Sequence, residues 1–498
     1  MKILLSLKYT LLCFILVVSC PDYNARAQAK QRTLTLEEAI RISKDQSPDA
    51  MNAKLTFQAS YWEWRSYKAS NLPALGFTAT IPYINQSITS QNLNGIQSYY
   101  SSKFMNADAT LGVTQKIGIT GGTISLNSNL KGVHNVNDSN LLPYVSIPIY
   151  VELNQPLFTY NQFRWDKKIV PLQYILAKRK FIEDMEKVSI TATNYFFNLL
   201  EAQVEKNIAR MNLSNYDTLY RIAKGRYQLG KIAESELLQL ELNFLKAQAA
   251  VENADLGLDN AQFRFKSFLH LHDTARIVLL PPGNINFFKI DPDKAVDLAK
   301  NNSSTSVDFQ KRLLEAASAV NNAKLTGRFD ASLRAVVGLT QQGSTVKDAY
   351  MNPGDERQFS LGLSVPIVDW GVAHGKIKMA QSKEEIVKTL VEQETIDFIR
   401  NVYLKVIQFN MQENQLKIAA KSDTVARKSY EVTKGRYLIG KINDITTLYL
   451  SQIETDNAEK NYYNALQTFW TSYYEIRQMT LFDFQKNEPI QFNFLDIN

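Results

Sequence analysis

The sequence has little cysteine and little histidine, which limits the chemistry it can perform. Its 498 residues contain two cysteines and four histidines. Cys13 lies in an apolar segment near the N-terminus, so at most Cys20 is expected in the mature chain, and this excludes a disulfide framework or cysteine-ligated metal site within one subunit. No His-Glu-x-x-His, Gly-x-Ser-x-Gly or phosphate-binding loop accompanies the histidines, and the pair His270 and His272 is interpreted as incidental. We predict no catalytic residue, no metal and no cofactor.

Long hydrophobic runs are also missing. After residue 30 no apolar run approaches the roughly 18 residues that a membrane-spanning helix needs, so any membrane passage must use β-strands. The apolar run Tyr9–Val18 follows two lysines and predicts a signal peptide over 1–29. Cleavage before a lipidated Cys20 and cleavage near Ala27 or Ala29 are both open, with Pro21 counting against lipidation. The net charge of +7 is small for this length and indicates no nucleic-acid partner.

Alternation of apolar and polar residues predicts β-strands with one apolar face. The predicted strands lie at 75–83, 107–117, 123–130, 145–153, 329–340 and 359–367. The second and third are joined by the glycine-rich turn 118–122 and form an extra hairpin, which either adds two strands to the others or forms a surface flap. The polar stretch 85–106 is interpreted as a loop.

Helical periodicity predicts several long helices. They lie at 34–71 with an interruption at Pro48, and at 160–228, 233–269, 292–326 and 371–438, and a return helix follows the Gly440 tip to about residue 479. A helix over 160–228 would be roughly 100 Å long, which is rare in a globular domain. Helices of this length form either a hollow cylinder of several subunits or a solid coiled-coil bundle.

The two halves of the chain have similar motifs in the same order. Lys224–Ile232 (KGRYQLGKI) and Lys434–Ile442 (KGRYLIGKI) are near-copies between long helices, offset by 434 − 224 = 210 residues. Gln155-Pro156 and Val365-Pro366 at strand ends show the same offset, 366 − 156 = 210. This predicts a duplicated domain, with repeats at 30–290 and 291–480 and a C-terminal tail at 481–498.

These motifs together resemble the TolC family of outer-membrane efflux and secretion channels. The resemblance covers essentially the whole mature chain, through Leu36-Glu37-Glu38-Ala39, Gln155–Phe158, Arg226-Tyr227-x-x-Gly230 and Arg436-Tyr437-x-x-Gly440. It implies an α+β membrane protein: a homotrimer whose four main strands per chain form one β-barrel among outer-membrane lipids, continued by a long periplasmic α-helical barrel. The alternative is a periplasmic coiled-coil spacer or adhesin without transport activity.

The resemblance further implies a passive exit duct. A periplasmic adaptor protein would join it to a proton-driven or ATP-driven inner-membrane pump, and the cargo would be small molecules or exported proteins. In the family the tip turns seat the adaptor with a pattern like Val-Gly-Leu. Here that pattern falls on Leu229, Gly230, Lys231, Ile439, Gly440 and Lys441. Lysine in the third place departs from the family pattern, so the docking is expected to be more polar.

Residues around the two glycines have other expected roles. Gly230 and Gly440 are predicted to adopt the left-handed backbone that ends a helix. The residues predicted to support the turns are Arg226, Tyr227, Arg436 and Tyr437. The family often has acidic gate residues six and nine positions after the tip glycine, where this sequence has Glu236 and Gln239 in the first half and Thr446 and Tyr449 in the second. A double acidic gate is therefore not expected, and Glu236 and Asp444 are the nearest candidates for pore-lining charge.

Overall fold

The structure is a computed structural model that describes residues 31–93, 96–135, 144–271, 275–283, 285–441 and 445–494. The predicted signal peptide, the lipidation candidate Cys20 and the gate candidate Asp444 lie outside these residues. Backbone contacts divide the chain into two compact units. We call residues 1–51, 185–289 and 408–475 the tip unit, and residues 52–184, 290–407 and 476–498 the sheet unit.

The predicted helices are present with small changes in their bounds. In chain order they are α1 (Leu36–Gln46), α2 (Pro48–Ala69), α3 (Gln162–Gln228), α4 (Glu234–Phe268), α5 (Pro292–Asn302), α6 (Ser304–Thr326), α7 (Val372–Leu438) and α8 (Ile445–Thr480). α3 and α7 each run for 67 residues. Among the described residues, none of the helices combines the length and the apolar composition that crossing a membrane requires.

Local capping explains where the shorter helices begin. Thr35 caps α1 reciprocally: its hydroxyl accepts from the Glu38 amide at 3.3 Å, and the Glu38 carboxylate accepts from the Thr35 amide at 3.0 Å. The predicted break at Pro48 is confirmed, because proline fits the first turn of α2. The single helix predicted over 292–326 is wrong: Ser303 separates α5 from α6, and its hydroxyl accepts from the Ser306 amide at 3.3 Å.

Six strands form one antiparallel sheet in the sheet unit. They are β2 (Ala74–Leu93), β3 (Ile96–Ile117), β4 (Gly122–Asn135), β5 (Tyr144–Leu157), β7 (Asp330–Gly343) and β8 (Gly354–Ser364), in the spatial order β2-β3-β4-β5-β7-β8. The interpretation of 85–106 as a loop is wrong. Residues 85–93 belong to β2 and residues 96–106 to β3, and the two strands pair with each other from Tyr83 opposite Asn106 to Leu93 opposite Ile96. Backbone hydrogen bonds stabilise these parts of the strands, so they need no apolar face.

Two small strand pairs were not predicted. β1 (Gln31–Leu34) pairs in parallel with β6 (Arg276–Leu279) in the tip unit. β9 (Phe482–Asp483) and β10 (Glu488–Pro489) pair in the sheet unit. Segments of two to four residues are too short to show a periodicity, so the sequence pattern does not indicate them.

Candidate functional site at the helix hairpin tips

Two turns end the long helices α3 and α7 in the tip unit, and their backbones are nearly identical. Gly230 has φ +64° and Gly440 has φ +75°, which confirms the left-handed conformation predicted at both. The Gly230 amide donates to the Tyr227 carbonyl at 2.9 Å, and the Lys231 amide donates to the Arg226 carbonyl at 2.9 Å. This pair of bonds is the Schellman motif, which satisfies carbonyls left open at a helix end.

The second turn repeats these bonds residue for residue. The Gly440 amide donates to the Tyr437 carbonyl at 3.0 Å, and the Lys441 amide donates to the Arg436 carbonyl at 2.9 Å. Each lysine therefore has a structural role through its main-chain amide, while the residue itself is exposed. The charge at the third position of each tip is free to meet a partner without disturbing the turn.

Each tip also exposes one apolar side chain. Leu229 is 75% exposed and Ile439 is 68% exposed, directly before the two glycines. Exposed apolar residues held on a fixed turn and flanked by a cation make a compact contact surface of mixed character. We call Leu229–Lys231 the first tip and Ile439–Lys441 the second tip.

The tyrosines that precede the two tips differ in environment. Tyr227 is 40% exposed, whereas Tyr437 is only 2% exposed. Tyr437 belongs to an apolar cluster within the tip unit. Its other buried members are Tyr216, Leu219, Ala223, Leu240, Ala247, Tyr430, Ile445 and Leu448. The two copies of one motif therefore place the same residue type on the surface in one case and in a core in the other.

Arg226 makes a contact that its counterpart Arg436 does not reproduce in the same form. Its guanidinium donates to the Tyr437 carbonyl at 3.4 Å and to the Leu438 carbonyl at 2.6 Å. The same group lies 5.7 Å from the centroid of the Tyr437 ring. These carbonyls are at the C-terminal end of α7, where a cation is favoured by the helix dipole. Arg226 thus holds the end of the helix that carries the second tip, whereas Arg436 is exposed.

Three of the gate candidates lie on α4 and α8 among the described residues. Glu236, in the first turn of α4, is half-buried. Burial raises the pKa of the Tyr437 hydroxyl, the charge of Arg226 lowers it, and the charge of Glu236 raises it. Glu236, Arg226 and Tyr437 therefore interact electrostatically. Thr446 is exposed on α8, and Tyr449 packs against the apolar cluster.

A partly buried polar cluster between α3 and α8 of the tip unit was not predicted. The Asp456 carboxylate accepts from the Asn212 side chain at 2.7 Å and from the Gln452 side chain at 2.9 Å. Burial raises the pKa of Asp456, and these hydrogen bonds oppose the shift. Burial, followed by the charge of Asp456, raises the pKa of Tyr430 to about 12. Asn212 and Asp456 are distant in sequence, and no local pattern indicates that they meet.

Solved outer-membrane proteins share this fold. The Campylobacter jejuni CmeC outer membrane channel is 14% identical with a TM-score of 0.64, and the match covers 93% of this chain and 88% of that one. The Vibrio cholerae outer membrane protein VceC is 11% identical with a TM-score of 0.63, over 92% and 97% of the two chains. The open state of the Neisseria gonorrhoeae MtrE outer membrane channel is 12% identical with a TM-score of 0.58, over 89% and 88%.

Comparison by sequence found no match, whereas comparison by structure found several. No protein-family model and no curated protein matches the chain. At identities of 11% to 14% the likeness shows the fold, and over about nine tenths of its length this chain has the fold of outer-membrane channels. The resemblance to the TolC family, predicted from its motifs, is confirmed at that level.

Proposed function

We propose that this chain forms, as a homotrimer, the passive outer-membrane exit duct of a tripartite efflux or secretion system. The observation that carries the proposal is the combination of two exposed helix tips with a two-faced sheet in a chain that has the fold of outer-membrane channels. A spacer or adhesin would need the helices but not an exposed apolar sheet face.

The sheet supports the membrane part of the proposal. Its two edge strands, β2 and β8, have no further partner within the described residues. A long unpaired edge invites pairing with another chain, and closure into a barrel removes every edge. Three copies, each pairing β2 with β8 of the next, would close a barrel whose apolar face meets lipid and whose polar face lines the exit.

The tips support the partner part of the proposal. Leu229 and Ile439 offer exposed apolar contacts, and Lys231 and Lys441 add positive charge beside them. A periplasmic adaptor with acidic and apolar groups would match this surface. The adaptor would join the duct to a proton-driven or ATP-driven inner-membrane pump, which supplies the energy. Cargo would be small molecules or exported proteins, passing through without chemistry on the duct.

The first test addresses assembly and conduction. Detergent-solubilised full-length protein is expected to be a trimer and to give stepwise conductance in planar lipid bilayers. A monomer that shows no conductance would overturn the duct and favour the structural spacer.

The second test addresses the tips. Gly440→Asp and Lys441→Glu are expected to abolish efflux in a strain that depends on this channel, while the trimer still inserts in the outer membrane. Lys246→Glu, at an exposed lysine further along α4, is the matched control and should leave efflux unchanged. Unchanged drug sensitivity with both tip variants would contradict adaptor docking at the second tip.

A further inference from the structure

The extra hairpin is built into the middle of the sheet. β3 pairs with β2 on one side and with β4 on the other, and β4 pairs in turn with β5. β4 has 14 residues, more than the roughly 9 to 11 that a tilted strand needs to cross a bilayer. The hairpin therefore occupies two full positions in the strand order and separates β2 from β5.

Between Gly122 and Asn127 of β4, before the register shift that follows Asn127, the apolar face of the sheet continues across the hairpin on the same side. Directly opposed residues of antiparallel strands share a face. One such row runs through Leu75, Val113, Leu126, Val151 and Val337, on β2, β3, β4, β5 and β7 respectively.

Two hairpin residues on this face are at least as exposed as a residue of the neighbouring strand β5. Leu111 is 48% exposed and Leu126 is 46% exposed, beside 41% for Val151. No Asp, Glu, Lys or Arg occurs on this face over residues 105–117 of β3 or 122–132 of β4, although Gln115 and Ser128 interrupt its apolar side chains. The face has the composition of one that meets acyl chains.

The opposite face of the hairpin is polar and internally bonded. The Asn129 side chain donates to the Asp108 carboxylate at 2.9 Å and to the Thr110 hydroxyl at 2.8 Å, across β3 and β4. On the same face of β5 and β7, the Arg334 guanidinium donates to the Glu152 carboxylate at 2.7 Å. The charged side chains of β3 over residues 105–117, of β4 over residues 122–132, and of β5 and β7 thus lie on one face, as expected for a water-filled lumen.

The turn of the hairpin is fastened to the end of the sheet where α3 begins. The Asn161 side chain donates to the carbonyls of Gly118 and Ile119 at 3.2 and 3.0 Å. The Gln155 side chain donates to the Thr120 carbonyl at 3.0 Å. A surface flap would leave its turn free, whereas this turn is anchored by the β5–α3 junction.

We infer that the hairpin β3–β4 spans the outer membrane, with Leu111, Val113 and Leu126 against lipid and Asp108, Thr110 and Asn129 lining the exit. The inference rests on the proposed trimeric duct. Six strands from each of three subunits give an eighteen-stranded barrel, in place of the twelve implied by four strands per chain. With strands about 4.8 Å apart and tilted by about 40°, the backbone diameter would be roughly 36 Å instead of roughly 24 Å.

A cysteine scan of the assembled full-length trimer in lipid vesicles tests the inference. Leu111→Cys, Leu126→Cys, Thr110→Cys and Asn127→Cys would each carry a nitroxide label, with the unsubstituted chain as baseline. Labels at 111 and 126 are expected to collide with dissolved oxygen and to be shielded from a water-soluble nickel chelate. Labels at 110 and 127 should show the reverse. Water accessibility at all four would overturn the inference.

β7 supplies the matched control. Val337→Cys lies on the apolar face and Ser332→Cys on the polar face of a strand that belongs to the sheet with or without the hairpin. If β7 alternates between lipid and water but the hairpin does not, only the present inference fails. If β7 does not alternate either, the proposed duct itself fails.

A pair of arginine substitutions gives an independent readout. Leu126→Arg would place a charge in lipid and should lower the amount of trimer in the outer membrane about tenfold, because charges on the lipid face of a barrel are strongly unfavourable. Asn127→Arg would place the charge in the lumen and should change the amount by less than about twofold. Equal amounts of both variants would contradict a lipid-facing Leu126.

Discussion

The first and second tips have almost the same sequence and the same backbone, yet the side chains around them differ in role. Both turns close with the same two hydrogen bonds and a left-handed glycine. Tyr227 is exposed before the first tip, whereas Tyr437 is buried before the second. Arg226 reaches from the first motif to the carbonyls that end α7. The local sequence encodes the turn, and the surrounding helices assign the roles of the side chains.

This asymmetry makes the second tip depend on the first. The end of α7 is stabilised by a buried tyrosine and by a guanidinium from the other hairpin, so loss of either should loosen Ile439–Lys441. The first tip has no equivalent support from Arg436, which is exposed. Substitutions at paired positions can therefore separate what the turn motif contributes from what its surroundings contribute.

The largest expected difference between the tips is in the effect of replacing their tyrosines. Tyr437→Ala removes a buried aromatic ring and should lower the free energy of local opening at the second tip by about 3 kcal/mol. Amide hydrogen exchange at 437–441 should accelerate by about 100-fold, since each 1.4 kcal/mol is tenfold. Tyr227→Ala, the matched control, should change exchange at 227–231 by less than about tenfold because the ring is already half-exposed. Similar acceleration in both variants would contradict the asymmetry.

The arginines should show the next largest difference. Arg226→Ala removes charge-assisted hydrogen bonds to the Tyr437 and Leu438 carbonyls, and should destabilise the second tip by about 1 to 2 kcal/mol. Hydrogen exchange at 439–441 reports the effect. Arg226→Lys should recover only part of it, because lysine lacks the planar fork. Arg436→Ala should leave hydrogen exchange at the first tip unchanged. If it reduced protection of the first tip as much as Arg226→Ala reduces protection of the second, the conclusion that only Arg226 stabilises the other hairpin would be contradicted.

The glycines should show no difference. A Cβ at Gly230 or Gly440 would meet no heavy atom within 4 Å other than those of the adjacent residues in the chain, so the cost of an alanine is backbone strain. The left-handed conformation costs a side-chain-bearing residue roughly 1 to 2 kcal/mol. Gly230→Ala and Gly440→Ala should therefore destabilise their own tips equally, as read from exchange at 229–231 and 439–441. A clear difference between the two destabilisations would mean that the cost of a side chain at the left-handed position differs between the two turns.

The sequence predicts what local rules control. The break at Pro48 and the left-handed glycines follow from residue type and position, and the structure confirms both. The alternation of β7 likewise follows from its residues. These features depend on a few neighbouring residues, so a single sequence is enough to identify them.

Features that depend on distant residues escape the same reasoning. Residues 85–93 and 96–106 are polar and have the composition of a loop, but they form strands because β2 and β3 supply each other's hydrogen bonds. The burial of Tyr437 depends on helices from both halves of the chain, and its local sequence matches that of exposed Tyr227. The position of the hairpin β3–β4 in the sheet also required the pairing partners on either side.

The smallest effects expected are opposite pH dependences of the two hairpins. Asp456 on α8 has a pKa raised above its ordinary 3.8 by burial, whereas Asp255 on α4 has a pKa lowered by its hydrogen bond with Lys206. A raised pKa gives a stabilising contribution that is full below 3.8 and is lost as pH rises through the folded value. A lowered pKa gives a contribution that is full above 3.8 and is lost as pH falls.

Asparagine at either position removes the titration while keeping an oxygen that accepts hydrogen bonds. The measurement is the protection factor from hydrogen exchange at pH 7 and at pH 4, which divides out the intrinsic pH dependence of exchange. The two substitutions should change the pH dependence of this factor in opposite directions. Asp456→Asn should increase protection of α8 at pH 7, where the buried carboxylate is unfavourable despite Lys460 and Arg427, and should have little effect in acid. Asp255→Asn should decrease protection of α4 at pH 7, because Lys206 loses its anionic partner. If both substitutions changed protection at pH 7 in the same direction, the carboxylate of Asp456 would be stabilised by its hydrogen-bond donors as fully as that of Asp255. The proposed electrostatic difference between the two hairpins would then be contradicted.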